Sequence, residues 1–263
     1  MRNKISNLIL NKLDKEEENI KNQWSNPRDT DTRHFFIDDL LPSNVCLDIY
    51  NLFPKKIEHF KNRNSFRERK KTLTDLSKVN KLLYDVSYAI QSPLIVKKLE
   101  KYLKLNELES DPSLYGSGLS VMFKKDYLNP HIDNSHDSQR KRYRRLNLLY
   151  YVSPNWQIKN GGNFELWDKK LKKPKIILSK FNRLVVMETN MNSWHSVNKV
   201  LVDTPRCCVS SYFFSKNSPN NKKYFHVTSF TGRKEQFLLR LFSPIDNNLR
   251  NIFSKIFSYG RGK

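Results

Sequence analysis

The sequence has 263 residues, of which 38% are hydrophobic, 7 are glycine and 3 are cysteine. This composition excludes collagen-like, coiled-coil and disulfide-rich proteins, and the length suits one large domain or two small ones. The 48 Lys and Arg residues outnumber the 26 Asp and Glu residues, which gives a formal net charge of +22. So strong a charge predicts an acidic partner but does not indicate a fold.

Helical patterns fill the first hundred residues. The spacing of apolar residues predicts an amphipathic helix within residues 1–25, and a turn-rich linker follows at 26–33. The basic stretch 61–71 is expected to be exposed. Further helices are predicted at 44–52 with Ser43 as N-cap, at 75–90, and at 94–103 after a break at Ser92-Pro93.

Short runs rich in Val, Leu, Tyr and Phe follow Gly118, with turn residues between them. They predict strands at 119–123, 146–152, 163–167, 175–178, 183–188 and 209–214. Several short strands of this kind indicate a sandwich, jelly roll or barrel, which the N-terminal helices would cover on one face. Helical spacing returns from about Lys234. We expect this last segment to pack on the domain, with contact to a membrane surface as the alternative.

Cysteine usage and hydropathy indicate the cellular compartment in which the protein is expected. The three cysteines are an odd number, and adjacent Cys207 and Cys208 would point to opposite faces of a strand. No secretory signal is visible, and no apolar run approaches the ~18 residues of a membrane span. We therefore predict a cytoplasmic protein without disulfides.

One H-x-D triplet stands out in the strand region. His131 and Asp133 are two residues apart on a predicted strand, so both side chains point to one face. With His195 from a later strand they would form a triad of two histidines and one carboxylate. Such a triad leaves open positions on non-haem Fe(II). Arg206 begins the apolar strand that follows, where a buried guanidinium would need a carboxylate partner.

The order and spacing of several further stretches resemble the 2-oxoglutarate/Fe(II) dioxygenases, and within them the prolyl 4-hydroxylase-like group. The resemblance covers about residues 111–215. The stretches are DPSLYGSGL (111–119), LNPHID (128–133), RRLNLLYYVSPNW…NGGNFELWD (144–168), FNRLVVMETN (181–190), WHSV (194–197) and TPRCCVSSYFF (204–214).

This resemblance implies an α+β fold with a mainly β core, a double-stranded β-helix or jelly roll. An N-terminal helical layer and a C-terminal helical extension would flank that core. We predict an N-terminal helix and linker at 1–33, the dioxygenase domain at 34–216, and a basic C-terminal helical extension at 217–263. The core of the domain would be 111–215.

The resemblance also implies roles for individual residues. Three would ligate the metal, and Arg206 would pair with the distal carboxylate of 2-oxoglutarate and count among the catalytic residues. A second group would face the cosubstrate on strand 146–152. The implied metal ligands are His131, Asp133 and His195, and the implied cosubstrate residues are Arg206, Tyr151, Asn147 and Leu149. Cys208 stands where the family often has Ser, and Tyr127 is a candidate for a further pocket tyrosine.

The implied activity is that of a dioxygenase, most simply a hydroxylase, using Fe(II), 2-oxoglutarate and O2, with ascorbate as a possible reductant. It would hydroxylate a C–H bond of a peptidyl-prolyl, amino-acid or sugar-type substrate and release succinate and CO2. One alternative is an oxidative demethylase of nucleic acid, and another is an idle jelly-roll binding module. A zinc hydrolase would leave Arg206 and Tyr151 without a purpose.

Two basic clusters bear on the substrate. The cluster 140–145 is expected beside the mouth of the site, and 169–175 in a connection between strands. Together they would form an electrostatic funnel for an anionic substrate, or simply solvated surface. Because aromatic residues spaced for base stacking are missing, nucleic acid is possible but not favoured. His136 is expected at the pocket rim or in solvent.

Overall fold

The computed structural model describes residues 1–54, 58–219 and 222–257. Its helices are α1 (Arg2–Lys15), α2 (Glu17–Ser25), α3 (Ser43–Asn51), α4 (Lys81–Ala89), α5 (Pro93–Leu103) and α6 (Phe237–Phe257). Its strands are β1 (His34–Ile37), β2 (Lys61–Asn64), β3 (Glu68–Leu73), β4 (Glu109–Ser110), β5 (Gly118–Met122), β6 (Tyr127–Ile132), β7 (Tyr143–Tyr151), β8 (Phe164–Trp167), β9 (Pro174–Ile177), β10 (Arg183–Glu188), β11 (His195–Val197), β12 (Arg206–Ser215) and β13 (Ser229–Phe230).

These strands form one antiparallel sheet that curls into a half-barrel. The order of neighbours along its main path is β1-β10-β7-β12-β5-β3-β6-β11-β8-β9, with β2, β4 and β13 paired at its sides. Since many neighbours in this order are distant in sequence, the chain repeatedly crosses between the two halves of the curl. This is the jelly roll that the sequence predicted, and the predicted fold class is confirmed.

The N-terminal helices cover the outer face of the curl. Apolar side chains of α1 to α5 share one core with the outward-facing residues of β7, β10 and β12. Leu146 and Leu148 of β7 lie in this core, fully buried, together with Val209 of β12. Burial of this face fixes the register of the central strands, because a slip by one residue would expose every one of these side chains.

Several local predictions need correction. Pro42, not Ser43, is the N-cap residue of α3. The helix predicted from residue 75 begins only at Lys81, because the side chain of Asn80 accepts a hydrogen bond from the Leu82 amide and caps α4 there. The basic stretch 61–71 lies in a β-hairpin of β2 and β3, which the sequence did not predict because its polar residues show no apolar alternation.

The C-terminal segment forms the long helix α6, as predicted. Residues 220, 221 and 258–263 of the predicted C-terminal extension lie outside the described residues. Across the described ranges, no helix is both long and apolar enough to cross a membrane. The division of the chain into three parts stays a prediction.

Candidate metal centre

The three predicted metal ligands meet where two neighbouring strands pair. His131 lies on β6, and Asp133 follows directly after the last residue of that strand. The neighbouring strand β11 begins at His195, and antiparallel pairing places His195 opposite His131. Because side chains two residues apart share a face, the carboxylate of Asp133 joins the two imidazoles.

The ligating atoms of the three side chains all lie within 4.8 Å of one another. The distance from His131 Nε2 to Asp133 Oδ1 is 3.7 Å, and that from His195 Nε2 to Asp133 Oδ2 is 3.6 Å. All three residues are buried. Three ligand atoms therefore converge on one small volume that protein shields from bulk water on most sides.

Backbone carbonyls fix the tautomer of both histidines. Nδ1 of His131 donates to the carbonyl oxygen of Asn129 at 3.0 Å, and Nδ1 of His195 donates to that of Ser193 at 2.9 Å. Since a carbonyl oxygen can only accept, each Nδ1 carries the proton of the neutral ring. Each Nε2 therefore directs a lone pair at the shared volume, as a metal ligand requires.

Burial and neighbouring charges set the protonation states. Burial lowers the pKa of His131 to about 3, and it also lowers the pKa of His195. Burial alone would raise the pKa of Asp133, but the nearby imidazoles and the guanidinium of Arg144 outweigh it and lower that pKa to about 2. At neutral pH the centre thus offers two neutral imidazoles and one carboxylate.

This donor set fits a divalent non-haem iron. Two imidazole nitrogens and one carboxylate oxygen on one side of a metal form the facial triad typical of Fe(II) oxygenases, and the other side stays open to further ligands. Thiolates, which would favour a structural zinc site, do not take part: among the described residues the cluster contains His131, Asp133 and His195.

Polar side chains from β7 and β12 surround Asp133. Nδ2 of Asn147 donates to Asp133 Oδ2 at 3.3 Å, and the hydroxyl of Tyr212 donates to Oδ1 at 3.4 Å. A guanidinium nitrogen of Arg144 lies 3.6 Å from Oδ1, and the guanidinium carbon is 3.6 Å from the centroid of the Tyr212 ring. These contacts orient the carboxylate and favour its ionised form.

Arg144 and Tyr212 were not among the predicted site residues. Tyr212 could have been found, because it is six residues after Arg206 on the same strand and strand alternation therefore puts both on one face. Phe230 was also missed. Its ring stacks on His131 with 5.2 Å between centroids, through a two-residue strand that the sequence did not predict.

A second cluster could hold the distal carboxylate of a cosubstrate. Arg206 is 3% exposed, and no carboxylate lies within ion-pair distance of it in the described part of the chain. Its guanidinium lies 4.6 Å from the centroid of the Tyr151 ring. The Tyr151 hydroxyl is buried and has no hydrogen-bond partner among the described residues. A cation and a free hydroxyl beside each other are suited to an incoming carboxylate.

The wall behind Arg206 is closely packed. Ser179 accepts a hydrogen bond from Arg206 Nε at 3.1 Å and donates to the carbonyl of Gly162 at 2.8 Å. Gly162 has a φ of +63°, and a Cβ there would lie 2.9 Å from Cδ of Arg206. Because glycine has no Cβ, it avoids this clash and lets the Arg206 side chain occupy its observed position.

Side chains of strand β7 alternate between the inner and outer faces of the sheet, as predicted. Tyr151 belongs to the inner apolar cluster and half-buried Leu149 packs against it, whereas Tyr150 faces the outer core. Asn147 lies at the metal centre and Leu149 among the apolar side chains beside Tyr151. The four predicted cosubstrate residues therefore fall into two groups. Asn147 lies near Asp133, whereas Tyr151 and Leu149 lie on the side of Arg206. Cys208 pairs with Tyr151 across the strands, and burial raises the pKa of its thiol to about 12.

Two further expectations about single residues were wrong. His136 is buried, with Nδ1 2.7 Å from Ser135 Oγ, so the alternative that it lies in solvent is wrong. The hydroxyl of Tyr127 donates to the carbonyl of Ser65 in the β2–β3 hairpin, so this residue does not join Tyr151.

The cluster 140–145 is not a free basic surface. Arg144 and Arg145 are buried, and Arg142 forms ion pairs with Asp137 and Glu109. The cluster therefore supplies one cation to the metal centre itself. The cluster 169–175 lies in the turn before β9 and in β9, with Lys169, Lys170, Lys172 and Lys173 exposed.

Comparison with known proteins agrees with this geometry. Residues 117–214 match the sequence model of the 2OG-Fe(II) oxygenase superfamily, and the matched range contains all seven predicted site residues. The matched stretch, which resembles this superfamily, is 98 of the chain's 263 residues. Prolyl 3-hydroxylase OGFOD1 of Mus musculus is 31% identical over 88 residues, which are 31% of this chain and 16% of the mouse protein. The chain therefore matches only a small part of that relative's length.

Solved structures share the fold at low sequence identity. A prolyl-4-hydroxylase from Pseudomonas putida gives a TM-score of 0.56 at 12% identity, covering 77% of this chain and 100% of that chain. A prolyl hydroxylase from Trichoplax adhaerens, in complex with a peptide fragment of the hypoxia inducible factor oxygen degradation domain, gives 0.54 at 17% identity, covering 77% and 92%.

The comparisons confirm the predicted resemblance to the 2-oxoglutarate/Fe(II) dioxygenases and their prolyl 4-hydroxylase-like group. The superfamily match and the donor set support the predicted enzyme class, with Fe(II) and 2-oxoglutarate as cofactor and cosubstrate. The roles of individual residues, ascorbate, nucleic-acid binding and the cytoplasmic location stay predictions.

Proposed function

We propose that the chain is an Fe(II)- and 2-oxoglutarate-dependent hydroxylase acting on a C–H bond of a peptidyl-prolyl residue. The observation that carries this proposal is the pairing of two sites in one half-barrel. One is a buried triad of two neutral imidazoles and a carboxylate. The other is a buried arginine that pairs with no carboxylate in the described part of the chain, beside a tyrosine hydroxyl that has no hydrogen-bond partner there.

In this proposal His131, Asp133 and His195 hold the metal. When bound, Fe(II) supplies the redox chemistry that couples oxidative decarboxylation of 2-oxoglutarate to hydroxylation by O2. The products are succinate, CO2 and the hydroxylated substrate. The carbonyl partners of the two histidines keep both Nε2 atoms unprotonated, and Asn147 and Tyr212 hold the carboxylate of Asp133 in one orientation.

Arg206 and Tyr151 orient the cosubstrate. Their guanidinium and hydroxyl groups would bind the distal carboxylate of 2-oxoglutarate, so that its 2-oxo acid end is directed toward the triad. Leu149 and the apolar side chains around Tyr151 exclude water from the stem of the cosubstrate. Positioning of this kind turns an encounter of three reactants into a reaction within one complex.

The choice of a peptidyl-prolyl substrate is based only on the similar proteins. The mouse relative is a prolyl 3-hydroxylase, and the Trichoplax structure holds a peptide fragment. Amino-acid and sugar-type substrates are the alternatives. The nucleic-acid alternative drew on the cluster 140–145, where Arg142 is paired with acidic residues and Arg144 and Arg145 are buried.

Turnover of 2-oxoglutarate tests the proposal. Protein supplied with Fe(II), ascorbate and 2-oxoglutarate should release succinate, and a proline-containing peptide library should gain one oxygen atom from labelled O2. His131→Ala should abolish both, whereas His59→Ala, which removes an exposed histidine outside the site, should leave both unchanged. Metal-loaded protein that forms no succinate with any substrate would indicate an idle binding module instead.

A further inference from the structure

Helix α6 packs on the domain through its polar side chains. Asn247 donates to the carbonyl of Phe230 at 2.8 Å and accepts from its amide at 2.9 Å. Asn251 accepts from the amide of Val227, and Arg250 donates to the carbonyl of Thr228. Surface helices ordinarily bury their apolar side and expose their polar side. This helix does the reverse.

The opposite face of α6 is apolar and exposed. Its ten large apolar side chains are between 51% and 70% exposed. They are Phe237, Leu238, Leu241, Phe242, Ile245, Leu249, Ile252, Phe253, Ile256 and Phe257. Soluble monomers rarely expose contiguous apolar patches of this kind, and where they occur they mark contacts with another protein or a membrane.

The breadth of this face argues for a bilayer over a helical partner. At about 100° per residue, the ten side chains spread over roughly 200° of the helix circumference. The seam of a coiled coil is a narrower stripe, formed by two positions in seven. A face that covers half of the helix suits a helix lying in the plane of a membrane interface.

The charges around α6 favour anionic lipid. The helix carries Arg240, Arg250 and Lys255, and its only acidic residue, Asp246, pairs with Arg67 of the β2–β3 turn. Arg240 donates to the carbonyl of Lys170, so the turn with four exposed lysines lies beside the first half of the helix. Cations therefore flank the apolar face, where they would meet lipid headgroups.

We propose that the exposed face of α6 binds the surface of a bilayer containing anionic phospholipid. The apolar side chains enter the boundary between headgroups and acyl chains, and the flanking cations contact the phosphates. The proposal does not depend on the oxygenase activity. It also places the metal centre close to the membrane, because Asn247 holds Phe230, whose ring stacks on His131.

Vesicle flotation of the full chain tests this proposal. Protein is mixed with vesicles of phosphatidylcholine alone or of phosphatidylcholine with phosphatidylserine, at low and high salt. We expect binding to the anionic vesicles to be on the order of a hundredfold tighter than to the neutral ones, since the exposed Lys255 and the exposed lysines of the neighbouring turn contribute. High salt should remove most of that difference.

Two variants locate the contact. The double variant Leu241→Asp/Ile252→Asp places charges on the apolar face and should weaken binding to anionic vesicles at least about tenfold. Leu94→Asp is the matched control, since Leu94 lies on α5 and is 61% exposed, and it should bind like the wild type. Circular dichroism of each variant reports whether the fold is kept.

The possible results divide clearly. A folded wild type that does not bind anionic vesicles overturns the proposal, as does a folded double variant that binds them as tightly as the wild type. Light scattering tests the alternative that a second copy of the chain, and not a bilayer, binds the apolar face of α6. If the wild type is a dimer that the double variant converts to a monomer, and neither binds vesicles, the face of α6 is an interface with a second copy of the chain.

Discussion

Replacing Arg206 with methionine should abolish tight binding of 2-oxoglutarate without unfolding the protein. In the free protein the guanidinium is 3% exposed and has no acidic partner among the described residues. Its substitution loses the hydrogen bond to Ser179 but also removes a buried, unpaired charge, so the free energy of unfolding should change little. We expect the apo variant to melt near the wild-type temperature.

The effect on the cosubstrate should be large. Breaking a buried, hydrogen-bonded charge pair costs about 2–5 kcal/mol, which corresponds to a loss of affinity between roughly 30-fold and several thousand-fold. Calorimetric titration into Mn(II)-loaded protein measures this without turnover. A ligand without the distal carboxylate, 2-oxobutyrate, should bind the wild type and Arg206→Met equally weakly.

Arg183→Met is the matched control for this experiment. Arg183 is a half-buried arginine of β10 that lies opposite Tyr151 of β7, but unlike Arg206 it forms an ion pair, with Asp38. Its substitution should lower stability and leave the affinity for 2-oxoglutarate unchanged. The reasoning is refuted if Arg206→Met binds 2-oxoglutarate as tightly as the wild type, because the distal carboxylate would then be bound elsewhere.

Two further predictions concern backbone and pH. Gly162→Ala should lower the affinity for 2-oxoglutarate, because its Cβ would lie 2.9 Å from Cδ of Arg206. Gly116→Ala is the control, since its Cβ would have no contact under 3.5 Å. It should strain only its own backbone and leave the calorimetric titration with 2-oxoglutarate unchanged. Burial lowers the pKa of His34 below its ordinary 6.5, so the unfolded chain binds the proton more readily and stability should fall as the pH drops below about 6.5. Denaturant unfolding at pH 7.5 and 5.5 should show that this histidine lowers the free energy of unfolding by up to ~1.4 kcal/mol per pH unit. His34→Asn should lose less stability over the same range. Equal pH dependence in wild type and variant would contradict this assignment.

Alternation made much of the site predictable from the sequence. The H-x-D spacing placed His131 and Asp133 on one face of a strand, and the same period placed Asn147, Leu149 and Tyr151 on the inner side of β7. These residues lie on strands with one fully buried face, where the register is strongly specified. His195 was proposed as the second histidine, from a later strand, and the resemblance to the family implied the same role.

Arg144 could not be predicted in this way. Strict alternation from Asn147 would turn Arg145 inward and Arg144 outward. The pairing of β7 with β12 shifts register at this point, where Phe213 pairs with Leu146 and Phe214 with Arg144. A bulge of this kind adds one residue to one strand and reverses the facing of everything beyond it. Arg144 therefore points to Asp133, and nothing in the local sequence marks the bulge.

The packing of α6 was equally beyond sequence reasoning. The apolar spacing correctly predicted a helix, and packing on the domain was the expected outcome. The docked face, however, is chosen by polar groups of the segment 227–230, which Asn247, Arg250 and Asn251 satisfy with hydrogen bonds. These partners are brought together only by the fold.

The most direct test of the central claim is the visible absorption of the Fe(II) complex with 2-oxoglutarate, recorded without oxygen. A 2-oxo acid bound to Fe(II) gives a charge-transfer band that needs no primary substrate and no turnover. The wild type should develop this band when both Fe(II) and 2-oxoglutarate are added, and Asp133→Ala, which removes one of the three ligands, should not. A band of equal strength in Asp133→Ala, or none in folded wild type, would contradict the assignment of this centre.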